Sequence, residues 1–422
     1  MLNFSPSYDR LKPMKMEGEE LHSLLSPLRN LRFRRLWISS LFSSISGQIF
    51  PICATLLLLK GDKPALAISL LLSSQIIAYL IFAPLGGLLA DRISRMKLVK
   101  ISLFLRFLAA IQLLFGPTPE VSRLTITVFI MGMIDAGSSG AGGALIPDII
   151  EVNGLQAANA LGAVTGRVAS ISGPGLAIFL VSTTSAKVGF SVTAAGMLLA
   201  LIALTKVSAP PVKHHERAHF RTEILAGYKF VKQTRWMMAV MTILALQTSI
   251  LFGAEMVLLP IISTRVFETA KIYPFAIMAL SLGSLISAAF AAKFHAKQPG
   301  TMAFISWSFL VFLIIALIFP ISPIFLITCY FLGGLATEPM GIFWRTALQK
   351  NAPEVSRARV MSFESMLSSA LMPIGVGLAG PLSHLFGEKI YLSICAMIFL
   401  ALGAIGLIFP GVRSFSNQIP AE

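Results

Sequence analysis

This 422-residue chain predicts an all-α, polytopic membrane protein of twelve transmembrane helices arranged as two six-helix bundles. Three observations carry that expectation. Apolar stretches of about 20 residues, long enough to cross about 30 Å of hydrocarbon, lie end to end along the chain. Lipid offers no water to the backbone, so each stretch must satisfy its own amides and reads as a helix. The composition agrees: 55% of residues are hydrophobic and only 13% charged, with a mean hydropathy of +0.80. Soluble chains carry about twice that share of charge. Finally, the positive charges sort by loop, 25 of the 34 Lys and Arg falling on one side of the expected spans, seven on the other and two inside.

The spans follow in order. The first, 36–59, is entered from Arg34-Arg35 and left at Lys60. The second, 66–90, ends in Asp91-Arg92, and the third, 98–116, begins beyond Lys97. The fourth, 124–146, starts after Arg123 and stops before Asp148, while the fifth, 156–182, is rich in Gly and carries Pro174. The sixth, 188–206, lies between Lys187 and the central polar segment. The seventh, 237–264, is bounded by Arg235 and Arg265, and the eighth, 272–292, by Lys271 and Lys293. The ninth, 302–320, is uninterrupted by charge. The tenth, 323–344, closes at Arg345, the eleventh, 360–386, opens after Arg359, and the twelfth, 390–410, opens after Lys389.

The net charge of +15 suggests nucleic acid at first sight. Its confinement to alternate short loops excludes that partner and places both termini in the cytoplasm by the positive-inside rule. The domain expectation is a cytoplasmic segment 1–35, a first bundle 36–206, a linker 207–235, a second bundle 236–410 and a tail 411–422. Residues 1–35 lack the apolar core of a signal peptide, so the first span is expected to target the chain. The linker combines Pro210-Pro211 and His214-His215 with an amphipathic helix. There Leu225, Tyr228, Phe230 and Val231 oppose Arg221, Lys229 and Lys232, a pattern suited to an anionic membrane surface. The histidines lack a carboxylate or thiol to complete a metal site, and a solvated linker is expected. Cys53, Cys329 and Cys395 all fall in spans and read as small buried residues without disulfide spacing. A weak repeat about 200 residues apart links 147–182 to 351–382, each running from an acidic turn into a Gly- and Pro-rich helix.

Gly87-Leu88-Leu89-Ala90-Asp91-Arg92-Ile93-Ser94-Arg95-Met96-Lys97 ends the second span. Gly87 permits close helix approach, Asp91 suits a helix N-terminus, and Arg92, Arg95 and Lys97 offer exchangeable charge partners. The run resembles the loop signature of the major facilitator superfamily, with Ser94 where that family prefers Gly. Two parallel six-span repeats are also its architecture. Ser172-Gly173-Pro174-Gly175 resembles that superfamily's antiporter element without the later glycines; Gly173, Pro174 and Gly175 are hinge candidates, with an ordinary kinked helix as the alternative. Further stretches extend the resemblance over most of the chain: Phe33-Arg34-Arg35-Leu36, Ala158-Asn159-Ala160-Leu161, Gly227-Tyr228-Lys229-Phe230-Val231 and Ser356-Arg357-Ala358-Arg359. They are similar to the subfamily of siderophore (enterobactin) exporters and macrolide efflux proteins. The resemblance implies a bacterial inner-membrane location, a path lined by spans 1, 4, 7 and 10, and a cytoplasmic gate at Gly87, Asp91, Arg92, Arg95, Lys97 and Arg359.

Few ionisable groups lie inside the spans, and a charge there costs about 2.5–3.5 kcal/mol on insertion scales, so each needs a partner, water or a use. They are Asp135, Glu255, Arg167, Arg106 and Glu338. For Asp135 and Glu255 the functional reading is proton coupling or recognition of a polar cargo; the alternative is a structural pair, such as Asp135 with Arg167 or Arg106. Arg167 is a gating or structural candidate, and Glu338 beside Pro339 is expected to be structural. Gln48, after Gly47, suits a central cavity; Gln75, Gln112 and Gln247 suit bonds between helices. No phosphate loop, metal motif or nucleophile elbow appears, so neither ATP, a cofactor, a metal nor enzymatic chemistry is expected. The expectation is a monomeric secondary transporter exporting an amphipathic small molecule, with protons and lipids as its other partners. Uptake or flipping of a lipid-like or nutrient substrate, and a non-transporting sensor, are the alternatives.

Overall fold

The computed structural model describes residues 25–115, 120–151, 154–183, 185–207, 228–291, 296–352 and 354–416. Within these, the side chains of 84–92, 139–140, 142–144, 156, 182–183, 289–291, 349, 354–359 and 362 lie outside the description. Most of the linker, with its histidines and the start of its amphipathic helix, lies outside it too; residues 228–233 are helical.

The described regular structure is entirely helical. The first half comprises α1 (Leu31–Leu58), α2 (Pro64–Arg92), α3 (Arg95–Ile111), α4 (Val121–Ala144), α5 (Leu155–Thr183) and α6 (Ala186–Leu204). The second comprises α7 (Arg235–Phe267), α8 (Ile272–Ala291), α9 in two pieces (Pro299–Ser308 and Val311–Ile318), α10 (Pro323–Asn351), α11 in two pieces (Glu354–Ala370 and Met372–Phe386) and α12 (Glu388–Ile408). Ten described stretches are long and apolar enough to cross a membrane, Ile272–Ala288 in α8 being a shorter apolar run. The helix α3 has 17 residues and carries Arg106 inside it.

Several starts are written locally. Asn30 caps α1 by accepting from the amides of Arg32 and Phe33. Ser322 caps α10 through Phe325, with Pro323 at the first helical position. Ser94, the departure from the family loop, caps α3 by accepting from the Lys97 amide. The replacement of Gly thus supplies a helix start rather than a lost turn.

The packing repeats at an offset of six helices. Helix α1 packs on α5 and α6 as α7 packs on α11 and α12; α2 packs on α4 as α8 packs on α10; α3 packs on α4 and α6 as α9 packs on α10 and α12. These are two six-helix bundles, joined mainly through α2 against α11 and α5 against α8. Small residues make the close approaches, as lipid-embedded helices require. A methyl group on Gly283 or Gly334 would strike the backbone of α10 or α8 respectively, and one on Gly253 would strike the backbone at Gly375.

The buried core is unevenly divided. At the end of the molecule away from the termini, one continuous cluster takes residues from both halves, among them Phe50, Cys53, Leu71, Leu258, Tyr330 and Val376. At the end that carries the termini, the clusters separate. One, built around Trp236, Trp344 and Phe415, belongs to the second half. Two others, around Met96 and Leu204 and around Phe33 and Leu161, belong to the first.

Candidate functional site

The ionisable groups inside the spans fall into three arrangements, each made by a different set of helices. In the first half, Arg106 on α3 forms an ion pair with Asp135 on α4. Of the two partners the sequence left open for Asp135, the fold selects Arg106, because α3 and α4 are packed neighbours while Arg167 faces the other half. The pair lines a cavity of about 510 Å³, a volume typical of small-molecule sites. Its walls combine aromatic Phe33, Trp37 and Tyr79 with Ser40, Ser43 and Ser138. Among the described residues its walls come from α1 to α5 and Ile146, all in the first half, whereas the path was expected between the halves.

The second arrangement does stand between the halves. Arg167 on α5 donates from Nη2 to Glu338 Oε1 on α10 at 2.7 Å and from Nη1 to Ser284 Oγ on α8 at 2.7 Å. Ser284 Oγ in turn donates to the same Glu338 oxygen at 2.7 Å. Glu338, expected to be structural beside Pro339, is a partner in a bridge across the two bundles. Pro339 sits inside a continuous α10. Open space adjoins the bridge: a methyl built on Gly166 or Gly341 meets nothing of another helix within 4 Å.

The third arrangement is sealed. Glu255 on α7 is only 3% exposed and lies beside the hydroxyl of Tyr330 on α10, with Tyr273 of α8 close by. Neither Glu255 Oε1 nor the Tyr330 hydroxyl closes a well-formed hydrogen bond here. No ion pair to Glu255 occurs among the described residues. Tyr330 belongs to the joint core, so this carboxylate sits in the closed end of the molecule.

Gln48 is exposed on α1, on a face that also carries Ser40, Ser44 and Gly47, a polar stripe at helical spacing. Gln112 bonds Thr127 and accepts from Arg123, and Gln247 donates to the Phe399 carbonyl at 2.8 Å. The three hinge candidates lie within an unbroken α5. A methyl on Gly173 would collide with Gln48, so that glycine makes a close approach of α5 to α1, while one on Gly175 would make ordinary contact with Met278 of α8. At the loop between α2 and α3, Arg95 pairs with Asp148 at 2.9 Å inside the same half, while the Lys97 side chain is exposed. Gly87, Asp91 and Arg92 end α2, and with Arg359 their side-chain surroundings lie outside the described residues.

Sequence reasoning found the acids and bases but missed Ser284, Tyr330 and Tyr273. A tyrosine or serine in an apolar span is a weak signal alone; it gains meaning only when folding sets it against a carboxylate.

The Major Facilitator Superfamily model matches residues 36–376. Enterobactin exporter EntS of Escherichia coli O1:K1 is 24% identical over 401 residues, covering 92% of this chain and 94% of that one. The protein of the same name from Shigella boydii serotype 18 matches at 24% over the same coverage. Among solved structures, a nucleoside transporter NupG mutant superposes with a TM-score of 0.69 at 15% identity, over 90% of this chain and 99% of that one. A POT family transporter in complex with a thioalcohol-conjugated peptide gives 0.71 at 14% identity, over 89% and 95%.

Proposed function

We propose that this chain, which belongs to the Major Facilitator Superfamily, is a secondary active exporter of an amphipathic, siderophore- or drug-like small molecule, working by alternating access with proton antiport. The observation that carries the reading is the divided core: one shared cluster at the end away from the termini, and separate clusters for each half at the other. A body joined at one end and parted at the other can rock about its middle, and rocking exchanges which end is open. With the termini in the cytoplasm of an inner membrane, the state described is the one that receives cargo from inside.

Two carboxylates are assigned to the coupling. Asp135 lies on a cavity wall with Arg106. Glu255 is dry beneath the closed end and would meet water when that end opens, so its surroundings change with each half-cycle. A proton taken up on one side and released on the other is the exchange such a group can perform. The likeness to the siderophore exporters supports the outward direction and the class of cargo.

The test is flux in proteoliposomes under an imposed pH gradient, with Asp135→Asn and Glu255→Gln. Both variants are expected to lose about 100-fold of the proton-driven rate, the scale at which a positioned proton carrier acts, while binding of cargo persists. Undiminished proton-driven flux in both removes the assignments, and net movement only toward the terminal side overturns export.

A further inference from the structure

We propose that Arg167 is the recognition point for an acidic group on the cargo, which takes the place of Glu338 on the guanidinium, and that the transported compounds are therefore amphipathic anions. The proposal rests on the exporter reading and gives it a substrate class.

Arginine carries five N–H donors in a rigid fork. Arg167 uses one at Glu338 and one at Ser284, each at 2.7 Å. Its side chain is 36% exposed, so the rest of the fork is reachable from the surrounding space. That space is present on both sides of the bridge. Gly166 on α5, next to Arg167, and Gly341, one turn along α10 from Glu338, have no atom of another helix within 4 Å of where a side chain would begin. A ligand group can therefore approach the guanidinium without displacing backbone.

Glu338 meets its cation through one oxygen only. A single oxygen, Oε1, accepts from both Arg167 and Ser284. A free carboxylate or sulfonate can bind an arginine fork with two parallel hydrogen bonds. An incoming oxyanion thus matches the fork better than the resident acid does. Ser284 keeps its bond to Arg167 during the exchange, which holds the guanidinium in place.

The position gives the exchange its consequence. The bridge joins α5 of one half to α8 and α10 of the other, so removing Glu338 from Arg167 severs a link between the halves. Arg106 offers no equivalent: it is paired inside one half, in a cavity whose described walls all belong to that half.

The experiment uses the full-length protein in nanodiscs and three anionic probes, salicylate, naphthalene-2-sulfonate and decanoate, beside salicylamide, naphthalene-2-sulfonamide and decanamide. Equilibrium binding is expected for at least one anion and not for its amide. Glu338→Gln, which removes the competitor's charge, is expected to tighten that anion by about 10-fold or more, and Arg167→Gln to weaken it by about 10- to 100-fold, the worth of one charge-assisted hydrogen bond. Arg167→Lys, which keeps the charge without the fork, is expected to fall between and guards against a variant that fails to fold. Equal binding of an anion and its amide, an unchanged affinity in Glu338→Gln, or no binding of any anion overturns the proposal. Proton-driven export of decyltrimethylammonium that is indifferent to Arg167→Gln would overturn it while leaving the exporter reading standing. Anion binding that depends on Arg167, without proton-driven flux, would do the reverse.

Discussion

Inside the spans, Asp135 and Arg106 illustrate what a low-dielectric setting does to charge. Each alone would cost about 2.5–3.5 kcal/mol on insertion scales; placed against each other, the cost is offset by their attraction. Asp135 keeps 30% of its side chain exposed and Arg106 keeps 20%, so water in the cavity screens the pair in part. Removing one partner is therefore expected to cost about 1–3 kcal/mol, less than the 3–5 kcal/mol of a fully dry pair. Arg106→Gln and Asp135→Asn should each lower the melting temperature in detergent, and the double variant should lower it by less than the sum. Strict additivity in that cycle would mean that the two groups do not interact. Both residues stand out in the sequence as charges in apolar runs. Their pairing was one of two options there, because 29 positions separate them and helix rotation had to choose. The Arg167–Glu338 bridge was not anticipated: its partners are 171 residues apart in different halves.

The helices show the same division between what is local and what is not. Span limits are local, since flanking charges and apolar length set them, and most expected ends lie within about five residues of the helix ends; α10 runs on to Asn351 and α11 starts at Glu354, beyond the expected 344 and before the expected 360. Ser94 and Ser322 add caps that short sequence windows can reveal. Which glycines matter is not local. Gly173, for which the sequence left a hinge and a closely packed helix open, is pressed against Gln48 of α1 in a continuous helix, and Gly283 and Gly334 are where α8 and α10 touch backbone to backbone. Substituting Gly283 by Ala is expected to cost about 1–3 kcal/mol by overpacking, read as a lower unfolding temperature. Gly341→Ala, with open space around it, should be close to silent in the same measurement. A loss at Gly341 equal to that at Gly283 would contradict this packing.

The two bundles meet where α2 lies against α11. The Gly380 amide donates to Ser69 Oγ at 2.8 Å across that seam, and a side-chain carbon on Gly380 would sit 2.6 Å from the same oxygen. The same carbon would lie 2.5 Å from the backbone carbonyl oxygen of Ala65, so Gly380→Ala is expected to cost about 1–3 kcal/mol by overpacking the seam, read as a lower unfolding temperature. An unchanged unfolding temperature would show that the seam is looser than this contact requires. Substituting Gly380 by Leu should wedge the seam, raising the accessibility of a cysteine placed at Leu66 to a water-soluble maleimide.

Hydropathy and loop charge, read along the chain, were enough to establish a helical membrane protein and the short inventory of ionisable groups inside it, while its family was read from motifs such as the loop from Gly87 to Lys97. Those properties are additive over short windows: the energy of moving a helix into lipid depends on its own residues, and so does the bias of its flanking charges. Who meets whom was settled by folding alone. The rotation of each helix about its axis and the docking of one half on the other put Asp135 on Arg106, Glu338 on Arg167, and Glu255 under Tyr330. Such choices depend on close packing among residues far apart in sequence, and a single helix carries no record of the neighbour it will face.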